Sequence, residues 1–290
     1  VEKGVSREPP DRCPEECGRL RALLIDLDGV VYEGDRLVPG APQALRWLDE
    51  QRIPHMFVTN TTSRSRRGVV AKLARLGIDV ESPSILMPSV AATRWLRQHV
   101  DRPIALFVPP DAREDFGDFT LREEGPVAAV VVGDYGERWT FAELNRAFRL
   151  LMAEPQPKLL ALGMTRYWLA ADGFLRLDAG PFVAALAYAA SVEPIVMGKP
   201  AAAFFEAGLQ HLGAALEDAA VIGDDVRVDV GAAQALGMGG ILVKTGKFRS
   251  ADLALGPDMV LESIAELPAR WPEIENTLAG ARQACQRLDT

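Results

Sequence analysis

The chain has 290 residues, 48% of them hydrophobic and 25% charged, with a formal net charge of −8. That balance is too apolar for a disordered protein, and the length suits two domains on a prior of about 100–200 residues each. An acidic chain is not expected to bind nucleic acid or an anionic membrane, since either would need a basic surface to neutralise phosphates. No apolar run approaches the roughly 20 residues of a membrane span, and Val1 to Pro10 lacks the apolar stretch of a secretory signal. The three cysteines, Cys13, Cys17 and Cys285, make no disulfide framework, which fits a reducing, cytoplasmic setting. Cys13 and Cys17 also lack the second cysteine or histidine pair that would complete a zinc site.

The first element is the run Leu23-Leu24-Ile25-Asp26-Leu27-Asp28-Gly29-Val30-Val31, which predicts a buried strand ending in two carboxylates. Period-two geometry sends Asp26 and Asp28 out of the same side of its carboxyl end. Carboxylates this close repel each other and need a cation, a shared proton or basic neighbours. A helix over Pro42 to Gln51 follows, with Ala44, Leu45 and Leu48 on one side, then a strand His55 to Thr59. Helices over Val69 to Leu76 and Val90 to His99 come next. The middle reads as a separate unit of strands Ile104 to Val108, Ala128 to Val132 and Leu159 to Leu162. The helix Phe141 to Met152 lies between the last two, and Tyr167 to Leu177 is a hairpin or strand turning at Asp172-Gly173.

From Phe182 the alternation resumes with a helix to Ala190, a strand Ile195 to Met197 and a helix Ala201 to Leu212. A strand Ala219 to Ile222, a helix Val230 to Leu236, a strand Gly240 to Val243 and a last strand near Met259 to Leu261 complete it. This is the mark of an α/β fold, a parallel sheet with crossover helices, interrupted by an inserted module. The expected division is a discontinuous core of 19–83 plus 181–272, an insert of 84–180, and terminal extensions 1–18 and 273–290. A substrate would lie between core and insert.

Three further segments sit where loops gather beyond strand ends. Thr59-Asn60-Thr61-Thr62 offers hydroxyls and backbone N–H groups to an anion, Met197-Gly198-Lys199-Pro200 offers one ammonium, and Gly223-Asp224-Asp225-Val226-Arg227-Val228-Asp229 offers carboxylates. Each alone has an ordinary explanation: a helix cap, a turn, a solvated lysine. Four such segments in order along one sheet edge are unlike chance. Oxygen-only ligands point to Mg²⁺ rather than zinc. His55, His99 and His211 stand outside these segments.

In this order the four segments resemble the motifs of the haloacid dehalogenase-like (HAD) superfamily. The resemblance implies a Rossmann-like parallel-sheet core and assigns roles. Asp26 would be the nucleophile, Asp28 the general acid and base, and Thr59 and Lys199 the partners of the phosphoryl group. Asn60 and Thr61 would join them in binding substrate. Asp26, the Asp28 carbonyl and Asp224 would hold Mg²⁺, with Asp225 and Asp229 behind them holding Lys199 or metal-bound water. An aspartate at position 28 separates phosphoryl chemistry from the carbon-attacking dehalogenase branch.

An insert between the Thr59 and Lys199 motifs resembles the C2-type α/β cap of the NagD-like branch. The segments Leu144-Asn145-Arg146-Ala147-Phe148-Arg149, Ala179-Gly180-Pro181-Phe182 and Lys244-Thr245-Gly246-Lys247-Phe248-Arg249 narrow it further. They look like the phospholysine phosphohistidine inorganic pyrophosphate phosphatase and HAD-like hydrolase domain-containing protein 2 subgroup. The resemblance implies a Mg²⁺-dependent phosphatase acting on a small phosphorylated metabolite or pyrophosphate. Alternatives are a phosphotransferase using the same aspartyl phosphate, or a weakly active regulatory or binding protein on the same fold.

Specificity is expected in the cap, where Leu162-Gly163-Met164-Thr165-Arg166-Tyr167-Trp168 is either the specificity segment or an ordinary turn into a hairpin. Gly163 and Arg166 are its candidate substrate residues, Arg166 for a second anionic group. They stand where pyridoxal phosphatase-like members often carry an asparagine or histidine with an aspartate, which speaks against that substrate. The resemblance also implies a possible homodimer through the cap. The apolar helix bearing Phe141, Leu144, Phe148, Leu151 and Met152 would serve either that interface or the cap's own core.

Overall fold

The computed structural model of the protein describes residues 20–169 and 174–286; Cys13, Cys17 and the expected turn at Asp172-Gly173 lie outside them. The first strand, β1 (Ala22–Asp26), is buried at every position, as an apolar run covered on both faces must be. A short flap follows, β2 (Tyr32–Glu33) paired antiparallel with β3 (Arg36–Leu37). Next come α1 (Ala41–Glu50), which turns Ala41, Ala44, Leu45 and Leu48 inward, and β4 (His55–Val58). The helix α2 (Arg66–Arg75) starts at Ser65, whose Oγ accepts the Gly68 N–H at 3.1 Å. Then β5 (Ile85–Leu86) leads into α3 (Pro88–His99).

The inserted unit comprises β6 (Ile104–Phe107), β7 (Ala129–Val132), α4 (Phe141–Leu151) and β8 (Lys158–Ala161). It continues through the hairpin β9 (Tyr167–Leu169) and β10 (Leu175–Leu177), then α5 (Ala179–Ala190) and β11 (Ile195–Val196). The chain returns through α6 (Ala202–Leu212), β12 (Ala219–Gly223), α7 (Gly231–Ala235) and β13 (Gly239–Val243), and ends in β14 (Met259–Leu261) and α8 (Leu267–Gln286).

Six strands form the core sheet in the order β14-β13-β12-β1-β4-β5, all parallel, with Ile25 of β1 opposite Ile222 on one side and Phe57 on the other. Every carboxyl end therefore meets one edge, and the order reverses beside β1, the usual ligand-binding point of such sheets. The cap has its own parallel sheet, β11-β8-β7-β6. Its strands are packed on both faces: Val130 and Val132 join Leu150, Leu151 and Val183, whereas Ala129 and Val131 join the cluster that includes the core strands.

Two strands fall in unexpected sheets. Ile195–Val196, expected where the core resumes, pairs with β8 in the cap, and α5 packs beside α4 on that sheet. Ile85–Leu86, inside the stretch expected to be inserted, pairs with β4 in the core. Apolar patterning marks a strand but carries no record of its partner. The segment read as a C-terminal extension begins inside α8, where Ile274 and Leu278 are buried and Trp271 meets Trp47 edge-on at 5.5 Å. Among the described residues no helix is long and apolar enough to cross a membrane.

Leu24 lies fully buried mid-sheet, with Gly208 of α6 close against it. Leu24→Ala is expected to cost about 2–5 kcal/mol in urea unfolding; a loss well below about 1 kcal/mol would mean that α6 collapses onto the gap.

Candidate active site

Parallel pairing delivers the expected side chains to one place. Asp26 ends β1, Thr59 follows β4, Asp224 follows β12, and the turn Gly198–Pro200 enters from the cap. Lys199 is buried, and its Nζ lies 2.8 Å from Asp26 Oδ1 and 2.5 Å from Asp229 Oδ1. Asn60 holds that turn with both ends of its amide: its Nδ2 donates to the Lys199 carbonyl at 2.8 Å and its Oδ1 accepts the Lys199 N–H at 2.8 Å. Thr59 Oγ1 meets Thr61 Oγ1 at 3.1 Å and accepts the Thr61 N–H at 3.2 Å. Asp225 caps the π-helical turn Val226–Val230, accepting from Arg227 and Val228, so of the two rear aspartates only Asp229 reaches Lys199.

Burial alone would strip the Lys199 proton, but Asp229 and Asp26 outweigh it and hold the ammonium above the ordinary lysine value. Burial also raises Asp229, against the pull of Lys199. Asp224 is pushed up to about 7, by burial first and then by the Asp26 charge. Carboxylate oxygens of Asp26, Asp224 and Asp229 come within 4.8 Å of one another, and Asp224 Oδ1 is buried with no hydrogen-bond partner among the described residues. These residues fit a hard divalent cation. Asp26, Asp28, Asp224 and Asp229 against Lys199 and Lys247 leave a formal excess of two negative charges, and every donor of the aspartate cluster is oxygen. Asp26 and Asp229 both bond Lys199, whereas Asp224 does not.

The loop after β13 closes over Asp224. Lys247 N–H donates to Asp224 Oδ2 at 2.8 Å, Gly246 N–H to Glu33 Oε1 at 2.7 Å, and Thr245 Oγ1 to the Gly29 carbonyl at 2.5 Å. Gly29 and Gly246 both have positive φ, and a Cβ on either would come within 2.1 Å of Asp224 Oδ2, so only glycine fits there. The sequence pattern placed this loop in the subgroup motif without a role. Its position after an apolar strand on the same sheet edge was the available signal.

A cavity of about 810 Å³ opens in front of these groups. Its core wall carries Asp26, Asp28, Thr59, Asn60, Thr61 and Lys199, together with Lys247. Asp28, unlike Asp26, is exposed; its loop is tied to the flap by the Gly29 N–H donating to the Tyr32 carbonyl at 2.7 Å. The cap wall is formed by Asp134, Thr165, Tyr167, Trp168 and Asp178. Gly163 and Arg166, expected to touch substrate, lie off this lining: Gly163 is buried near Thr62, and Arg166 rests against the Tyr167 ring at 6.0 Å. In the segment they belong to, Thr165, Tyr167 and Trp168 face the cavity instead. None of the three histidines lines it.

A family model described as haloacid dehalogenase-like hydrolase matches residues 23–121, and one described as HAD-hydrolase-like matches residues 196–267. The chain is 37% identical over 242 residues to the phospholysine phosphohistidine inorganic pyrophosphate phosphatase of Bos taurus, covering 82% of this chain and 88% of that protein. It is 42% identical over 236 residues to the haloacid dehalogenase-like hydrolase domain-containing protein 2 of Pongo abelii, covering 81% and 88%. Among solved structures, the p-nitrophenyl phosphatase from Archaeoglobus fulgidus superposes with a TM-score of 0.79 at 26% identity, over 86% of this chain and 98% of that one.

The raised Asp224 carboxyl links proton, cation and stability. Folding binds its proton more tightly than the unfolded chain does, so without cation the stability from this group falls as pH rises from about 4 to about 7. A divalent cation displaces that proton, so the rise in melting temperature on adding millimolar Mg²⁺ should be larger near pH 8 than near pH 6. Asp224→Asn should abolish the difference; equal rises at both pH values in the unsubstituted protein would contradict the assignment.

Proposed function

The chain belongs to the haloacid dehalogenase-like hydrolases, and from that premise we propose a Mg²⁺-dependent phosphatase that hydrolyses a small phosphorylated metabolite or pyrophosphate through an aspartyl phosphate on Asp26. The observation that carries this reading is the buried ammonium of Lys199 between Asp26 and Asp229. It fixes the attacking carboxylate in place, and it offsets the charge of an incoming phosphoryl group.

Asp26 attacks phosphorus, forming an O–P bond as the bond to the leaving oxygen breaks. Asp28, exposed in the cavity beside it, donates a proton to that oxygen. The ionised Asp28 then takes a proton from water, which attacks the phosphoryl group and returns Asp26 as a carboxylate. The Thr59 and Thr61 side chains and Lys199 line the place of the phosphoryl oxygens, while Asn60 acts one step back by fixing the Lys199 backbone. Asp26, the Asp28 carbonyl and Asp224 would hold Mg²⁺, with Asp229 behind them. Bound there, the ion supplies Lewis-acid charge neutralisation for an attack of anion on anion.

The cap roofs the cavity and favours small substrates over phosphorylated side chains of folded proteins. A cytoplasmic setting agrees with the odd cysteine count. A homodimer through the cap agrees with the neighbouring helices α4 and α5, which bury Ala147, Leu150 and Leu151 but leave Phe141 81% and Tyr188 90% exposed.

Phosphate release from p-nitrophenyl phosphate with Mg²⁺ should fall on the order of 10³-fold or more in Asp26→Asn, and equally with chelator. Activity surviving either treatment contradicts the mechanism. Phe141→Glu with Tyr188→Glu should convert a dimer to monomer in sedimentation; an unchanged mass would place any interface elsewhere.

A further inference from the structure

The catalytic cavity is charged differently at its two ends. The core side mixes the ammonium groups of Lys199 and Lys247 with the carboxylates of Asp26, Asp28 and Asp229. On the cap side the described lining residues include two carboxylates, Asp134 and Asp178, and no lysine or arginine. Both carboxylates are held by the fold rather than free on loops. Asp178 caps α5, its Oδ1 accepting the Ala179 N–H at 2.6 Å, while the Asp178 N–H donates to the Arg166 carbonyl at 3.2 Å. Asp134 follows β7, and its N–H donates to Thr62 Oγ1 at 3.0 Å, which ties it to the phosphate-binding loop of the core.

Among the described residues neither carboxylate has an ion-pair partner. Burial is the first cause that raises both carboxyls, Asp134 adds to the rise at Asp178, and among the described residues no basic group is a cause of either shift. Arg166 and Arg176 approach the rings of Tyr167 and Trp168 at 6.0 and 5.9 Å, but neither guanidinium lines the cavity. A substrate with its phosphoryl group at Lys199 would thus point its leaving group at two half-buried carboxylates and two rings. A second phosphoryl or carboxylate group there meets like charge; an ammonium on a short carbon stem meets opposite charge and ring surface.

Resting on the phosphatase reading above, we propose that the cavity selects phosphomonoesters whose leaving group carries an ammonium, with Asp134 and Asp178 as the specificity-determining residues. Hydrolysis of such an ester breaks its O–P bond and releases an amino alcohol and inorganic phosphate. The same charges disfavour polyanions, so pyrophosphate is a poor ligand.

Matched ligands test this in two measurements. Calorimetric binding of aminoethyl phosphate, ethyl phosphate, carboxymethyl phosphate and pyrophosphate to the Asp26→Asn protein with Mg²⁺ reads selection without turnover. Relative kcat/KM of the unsubstituted enzyme on the same set reads it with turnover. Aminoethyl phosphate should be preferred over carboxymethyl phosphate by about tenfold or more, roughly one well-placed charge contact. In Asp134→Asn with Asp178→Asn that ratio should fall towards one; a general loss from misfolding cancels in the ratio, and asparagine at 178 still caps α5. Equal or tighter binding of the carboxylate ester or pyrophosphate, or a ratio unchanged in the double variant, overturns the proposal. Selective binding without turnover of any ester would instead overturn the phosphatase reading and leave this one standing.

Discussion

The Lys199 ammonium, buried between Asp26 and Asp229, is the interaction on which the site depends. Taking three charges out of water costs several kcal/mol each and is repaid only by close, well-oriented partners. The fold supplies them from distant segments. Asp26 comes from β1, Asp229 from the turn after β12, and Lys199 from a loop whose backbone is clasped by Asn60 after β4. Slipping any one strand by a residue would break the cluster, so the parallel register around β1 and the charge cluster require each other. Asp224 stands at the edge of this arrangement with one buried oxygen unpartnered, the place where the remaining negative charge calls for a cation.

The cap is more than a lid resting on this centre. One face of its sheet belongs to the same apolar cluster as the core strands, and Thr62 of the core loop bonds the Asp134 N–H of the cap. On the proposed function, the groups that would hold a phosphoryl group and those that would meet the leaving group are therefore mechanically joined. The proposed function places the common chemistry at the core edge and discrimination in the cap wall, as expected when one reaction serves many substrates.

The sequence disclosed the strands that are buried on both faces, such as Ala219–Gly223, because a continuous apolar run ended by turn residues has few other readings. It did not disclose Ile85–Leu86 or the flap Tyr32–Glu33 with Arg36–Leu37, since two-residue strands show no periodicity. Ile195–Val196 was visible as a strand but not as a member of the cap sheet, a fact set by pairing with residues more than thirty positions away. The core of the site was legible because Asp26, Thr59, Lys199 and Asp224 each follow an apolar run or a pinned turn. Asp134, Asp178 and Lys247 were not singled out, for their roles arise only when cap and core face each other. Arg166 shows the converse: chemistry alone suggested an anion site, and the side chain lies off the cavity.

The central claim is that Lys199 positions Asp26 as the nucleophile that becomes covalently phosphorylated. Borohydride quenching during turnover, followed by peptide mass spectrometry, tests it most directly, because reduction of an aspartyl phosphate leaves homoserine in its place. Homoserine at position 26 alone, and its loss in Lys199→Met, is the result expected. Turnover with no modified aspartate, or with the mark at Asp28 or Asp224, would contradict the account.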